Sequence, residues 1–110
     1  MYRKTTRILF TIDKNVNPDE TIKSAVEVSR KANLSLTYVQ SDESFELCNG
    51  DLEACKKDFK TKYYKDLEYV KKEGSLWKTL AQQGLEKDSN MFVVGAKTTK
   101  PGLFGGGMAA

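Results

Sequence analysis

Histidine is absent from this 110-residue sequence. Without an imidazole there is no Ser-His or Cys-His nucleophile system and no His-ligated metal. Acid–base chemistry would fall to carboxylates, lysines or tyrosines. Cysteine is scarce: Cys48 and Cys55 stand alone, with six residues between them. That gap is not the CxxC of a zinc or dithiol motif, and no second pair accompanies it. Two nearby cysteines without a metal pattern are expected to be free thiols, Cys48 in a loop and Cys55 on the inner side of a helix, with a redox pair as the alternative. No apolar run approaches the roughly 18 residues that span a bilayer. The basic start, residues 1–7, is followed by neither an apolar leader core nor a small-residue cleavage site, so the chain is expected to be cytoplasmic. Walker A, GxGxxG and GxSxG patterns are all missing, and no catalytic residue is assigned.

What is there fits one α/β domain. Apolar residues make up 39% and charged residues 30%, enough for a single core at this length. The net charge of +3 comes from scattered lysines. The stretch from Lys56 to Lys72 mixes lysine and tyrosine with interrupting acids, which reads as a solvated helix face rather than a nucleic-acid surface. Neither a nucleic-acid nor a membrane partner is expected.

Strand and helix signals alternate along the chain. Residues Arg7 to Asp13 form a compact apolar run closing on an acid, a strand by length and by its Ile and Phe content. Asn17-Pro18-Asp19-Glu20 then supplies a cap, a proline for the first helical position and acids for the first turn. Ile22, Ala25, Val26, Ser29 and Ala32 share one face of the helix that follows. Leu34 to Gln40 reads as a second strand and Ser41 to Gly50 as a polar loop. Leu52, Cys55, Phe59 and Tyr63 recur at helical spacing after Asp51. Asp66 to Lys72 reads as a short third strand in preference to a helix extension. Ser75 caps a third helix whose expected buried face is Trp77, Leu80, Ala81, Gly84 and Leu85. Met91 to Ala96 is an apolar run expected to be a strand buried on both faces.

The order β-α-β-α-β-α-β implies a doubly wound parallel sheet with helices on both faces, a three-layer α-β-α domain over residues 1–96. Residues 97–110 form a glycine-rich tail. In such sheets ligands bind beyond the carboxyl ends of the strands, where strand order reverses. Asp13, Val39 with Gln40, and Gly95 end three strands and so are expected at one crevice. Each also has an ordinary reading: Asp13 as a turn residue, Gly95 as a way out of a crowded sheet. Gly102, Gly105, Gly106 and Gly107 either free backbone N–H groups for phosphate or form a pliant end. Lys97 and Lys100 would suit phosphate beside them.

Ile8-Leu9-Phe10-Thr11-Ile12-Asp13 resembles the opening strand of universal stress proteins, and Leu36-Thr37-Tyr38-Val39 their second strand. Glu68 to Gly95 is similar to their third strand, helix and fourth strand. The resemblance covers nearly the whole chain in order. In the ATP-binding branch of that family the first-strand Asp lies in the nucleotide pocket, the second-strand Val meets adenine through its backbone, and a G-x2-G-x9-G-[S/T] motif holds ribose and phosphates. Carried over, this implies ATP as ligand, with Asp13, Val39, Gly95, Thr98, Gly102 and Gly107 as binding residues. Thr98 stands where the motif's second glycine belongs, and nine further residues lead to Met108. Gly102 and the glycines from 105 to 107 restore a shortened loop only with a gap. The family's last helix and fifth strand, often used in dimerisation, have no counterpart before Ala110, as in a short variant or a truncated domain. The resemblance implies a non-catalytic stress-response regulatory domain that binds adenine nucleotide and acts as a homodimer or through a protein partner. The alternative is an interaction module of the same fold that binds none.

Overall fold

The structure, a computed structural model, describes residues 6–96. Seven elements alternate along it: β1 (Arg7–Ile12), α1 (Pro18–Lys31), β2 (Ser35–Gln40), α2 (Leu52–Tyr63), β3 (Glu68–Lys71), α3 (Leu76–Glu86) and β4 (Phe92–Gly95). The four strands form one parallel sheet in the order β3-β2-β1-β4. The expected α/β architecture is therefore present, and strand order reverses between β1 and β4.

β1 and β2 are the inner strands, and almost every side chain on them is buried. Period-two alternation sends these residues to two different cores. Ile8, Phe10 and Ile12 join Leu36 and Tyr38 under Ile22, Ala25 and Val26 of α1 and Phe59 of α2. Leu9 and Val39 face the other way, with Leu80 of α3 and Val94. The layers are thus unequal, two helices over one face and one over the other. Phe10 and Tyr38, opposite each other in register, meet edge to face at 4.9 Å.

The helices begin where the sequence marks them. Asn17 accepts from the Asp19 N–H with Pro18 behind it, and Asp51 accepts from the N–H groups of Glu53 and Ala54. Ser75 caps α3 through the Lys78 N–H. α2 stops at Tyr64, which takes the left-handed conformation at φ 55°. A non-glycine residue there leaves no stop signal in the sequence.

Three expectations about burial need correction. α3 buries Leu76, Thr79, Leu80, Gln83 and Gly84, whereas Trp77 is 61% and Leu85 85% exposed. Gly84 stays on the inner side, and its lack of a side chain admits the Phe92 ring against its backbone, 2.7 Å from where a Cβ would sit. β4 is an edge strand, so Phe92 is exposed and Val93 and Val94 are half-buried instead of covered on both faces. Ala32 is the exposed C-cap of α1 and not part of its inner face.

Cysteine pairing is the fourth correction. Cys48 and Cys55 are joined in a disulfide and are not free thiols. The cap at Asp51 starts α2 soon enough after Cys48 to bring the two Cα atoms to 5.6 Å, within disulfide reach.

At the amino ends of the strands, Glu68 accepts from the buried Thr37 hydroxyl and from the Arg7 guanidinium. Burial pushes the Glu68 carboxyl up, but the Thr37 hydroxyl, the Arg7 guanidinium and the charge of Lys87 outweigh it and hold it below the usual range. Lys60 pairs with Asp66 nearby at 3.0 Å. The shallow cleft at this end, lined by Arg7, Lys60, Asp66 and Glu68, therefore has much of its charge matched internally. Among the described residues no helix is long and apolar enough to cross a membrane.

Candidate functional site

The reversal point between β1 and β4 is tied by one backbone bond, from the Asp13 N–H to the Gly95 carbonyl at 2.8 Å. Beyond it the chain turns sharply. The Asn15 N–H donates to Asp13 Oδ1 at 2.8 Å and the Val16 N–H to the Asp13 carbonyl, an Asx turn that fixes the carboxylate. A carboxylate oxygen accepts more than one bond, so this turn does not use up the acceptor capacity of Asp13.

Beside Gly95 lies a cleft of about 630 Å³ between the start of α1 and the end of β4. Val16, Asn17, Asp19, Glu20, Thr21 and Val94 line it with Gly95 and Ala96. Gly95 also has a packing reason to lack a side chain, because Thr21 crosses directly over it. The rim is acidic: Asp19 and Glu20 are exposed in the first turn of α1, where they offset the positive end of its dipole.

The connection from β2 to α2, residues 41–51, lies over the end of β1. Ser44 forms an antiparallel bridge with Asp13, flanked by bonds from the Lys14 N–H to the Glu43 carbonyl and from the Phe45 N–H to the Ile12 carbonyl. Beneath it, the Ser44 hydroxyl sits 2.8 Å from Thr11 Oγ1 and 2.7 Å from Ser41 Oγ, all three residues buried. The acids of this connection hold α3 in place: Glu43 accepts from the Leu76 N–H at 2.7 Å and Asp42 from the Gly74 N–H at 2.9 Å. Tyr38 fastens it from below by donating to the Phe45 carbonyl, and Tyr69 by accepting from the Cys48 N–H at 3.1 Å while donating to the Gln40 side chain of β2.

The sequence-derived residues therefore part company. Asp13 and Gly95 come together at the reversal point, although Asp13 is not among the residues lining the cleft. Val39 is 1% exposed, pairs with Val70 and points its side chain into the smaller core, and it is not among the residues lining the cleft beside Gly95. Thr98, Gly102 and Gly107 lie outside the described residues, as do Lys97, Lys100, Gly105 and Gly106. Sequence reasoning missed Val16 and Thr21 at the cleft and the Thr11–Ser41–Ser44 hydroxyl cluster over β1. Thr11 and Ser44 are 33 positions apart and follow no motif, so only the folded chain reveals their meeting.

Among the described residues no group of three or more Cys, Asp or Glu is placed to hold a metal ion. Comparison with protein-family models gives no match, and comparison with curated proteins gives none either. The fold and the cleft thus carry the functional reading by themselves.

Proposed function

We propose that this domain is a non-catalytic, universal stress protein-like regulatory module that binds adenine nucleotide beside the β1–β4 reversal point. One observation carries the reading: strand order reverses where the Asp13 N–H meets the Gly95 carbonyl, at the carboxyl ends of parallel strands and next to an open cleft. The polarity of the rim suits the nucleoside end of such a ligand. Asp19 and Glu20 at the rim, with Asp13 at the reversal point beside it, are acceptors, and ribose hydroxyls and the adenine amino group are donors. Val16 supplies apolar surface for the base. The domain would act in the cytoplasm as a homodimer or through a protein partner, with occupancy of the cleft as the signal.

Calorimetry and thermal shift with adenosine, AMP, ADP and ATP test this reading. A ligand at about 100 times its Kd stabilises the folded state by about 2.7 kcal/mol, a shift readily seen in a domain of this size. Asp13→Ala should abolish the shift. No response to any of the four at millimolar concentration would end the nucleotide reading.

A second reading, an interaction module of the same fold without a nucleotide, is favoured by a specific feature. Asp19 and Glu20 set negative charge where phosphates would approach the start of α1. In that case Asp13→Ala alters stability or partner binding while every nucleotide titration stays flat.

A further inference from the structure

We propose that the Cys48–Cys55 disulfide is a reversible redox latch: it holds the first two turns of α2 to the chain segment before it, and a dithiol reductant releases them without unfolding the sheet.

The way α2 is held supports this. Phe59 is the only residue of α2 that is fully buried, and Tyr63 packs on it at 4.7 Å near the helix end. The Arg30 guanidinium adds a bond to the Tyr63 carbonyl at that same end. From Leu52 to Asp58, by contrast, every residue is exposed apart from the half-buried Cys55 and Lys56. Apolar packing anchors the second half of the helix, and the disulfide tethers the first.

The bridge is also local. It spans seven positions and joins a loop to the helix directly after it, linking no two strands. What precedes it is fastened by other means: the Ser44 bridge to Asp13, and the Cys48 N–H donating to the Tyr69 hydroxyl at 3.1 Å. Cutting the S–S bond therefore leaves residue 48 and the sheet where they are and frees only the start of α2.

A reductant can reach the bond. Both cysteines are half-buried, Cys48 beside exposed Asn49 and Gly50. Cys55 lines a cleft of about 660 Å³ between α1 and α2, with Pro18, Ile22, Leu47 and Phe59. A thiolate of the dithiol attacks Cys48 Sγ and forms a mixed disulfide. The Cys55 sulfur leaves as a thiolate at the first turn of α2, where the positive end of the helix favours it, and takes up a proton. The reductant's second thiolate then attacks its own bridged sulfur and expels Cys48, which is protonated in turn. The protein gains two electrons and two protons, and the dithiol becomes a disulfide. In the reduced form the start of α2 frays, and the cleft widens over Ile22 and Leu47.

Hydrogen exchange on the full chain tests the latch in three states: oxidised, treated with dithiothreitol, and as the C48S/C55S double variant. Amides of residues 52–58 should exchange at least about tenfold faster in the last two states, while those of β1 and β2 keep their protection. Reoxidation of the wild-type chain should restore the slow rate. Unchanged exchange in residues 52–58 would overturn the proposal. So would loss of protection in β1 and β2, which would make the bridge a staple of the whole fold. Intact mass showing two free thiols after mild oxidation would overturn it as well.

Discussion

Thr21 occupies the space that a side chain at Gly95 would need. A Cβ added at Gly95 would lie 2.3 Å from Thr21 Oγ1 and 3.1 Å from Thr21 Cβ. Ile12 closes the third side at 3.2 Å, so at Thr21 the helix α1 packs directly on the end of β4, beside the cleft. Thr21 has two χ1 rotamers open to it in a helix, so turning its hydroxyl away would still leave its Cβ in contact.

Gly95→Ala should therefore destabilise the domain by about 1–3 kcal/mol, the usual cost of overpacking. In a Thr21→Ala background the same change should cost less, because the hydroxyl that would be struck is gone. Urea denaturation of the two single variants and the double variant measures the coupling. Equal cost in both backgrounds would mean that Gly95 is required for some reason other than this contact.

The register of α3 makes a second prediction, on adjacent residues. Leu76 is 4% exposed, and Leu76→Ala should cost about 2–4 kcal/mol. Trp77 stands outside, and Trp77→Ala should change stability by no more than about 0.5 kcal/mol. Trp77 is the sole tryptophan of the chain, so its fluorescence should be readily quenched by acrylamide in the folded state. The reverse pattern would restore the helix face expected from the sequence.

Tyr38 makes the domain sensitive to alkali. Burial above all, with the neighbouring Tyr69, pushes its phenol well above the ordinary 10.0, and bonds involving Thr11 and Ile12 only partly counter this. The folded state thus holds the phenolic proton more tightly than the unfolded chain does. Its contribution is fully present below pH 10 and is lost as pH rises above that value, by up to about 1.4 kcal/mol per pH unit. Tyr38→Phe should remove most of this slope, leaving a smaller part from Tyr69, whose phenol burial also raises. At neutral pH the same variant should cost about 1 kcal/mol, since the Phe45 carbonyl loses its donor. Denaturation midpoints between pH 7 and 11 check both effects.

The order of elements was legible because its signals are local. Asn17-Pro18 announces α1, and the compact apolar run of β1 and the strand residues of β2 each lie within six-residue windows. Even β3, competing with an extension of α2, followed from the β-branched and aromatic content of Glu68–Lys71. What escaped depends on how elements pack against one another rather than on local pattern. The inner face of α3 includes Gly84, against which Phe92 of β4 packs. The half-exposure of β4 follows from its place at the sheet edge, which composition does not encode. The disulfide depends on where α2 starts relative to Cys48, a matter of one helical turn. Of the site, Asp13 and Gly95 were legible because they end strands. The hydroxyl cluster of Thr11, Ser41 and Ser44 was not, since its members share neither spacing nor residue type with any motif.

The acidic first turn of α1 has a consequence for how any anion would approach the cleft. Asp19 and Glu20 stand exposed at its mouth, and exposed charges are screened over about 10 Å in 0.1 M salt. Most phosphate sites lose affinity as ionic strength rises, because salt masks an attraction. Here salt would mask a repulsion from these two carboxylates, so a nucleotide held at this rim should bind more tightly as salt is added, and adenosine should show no such trend.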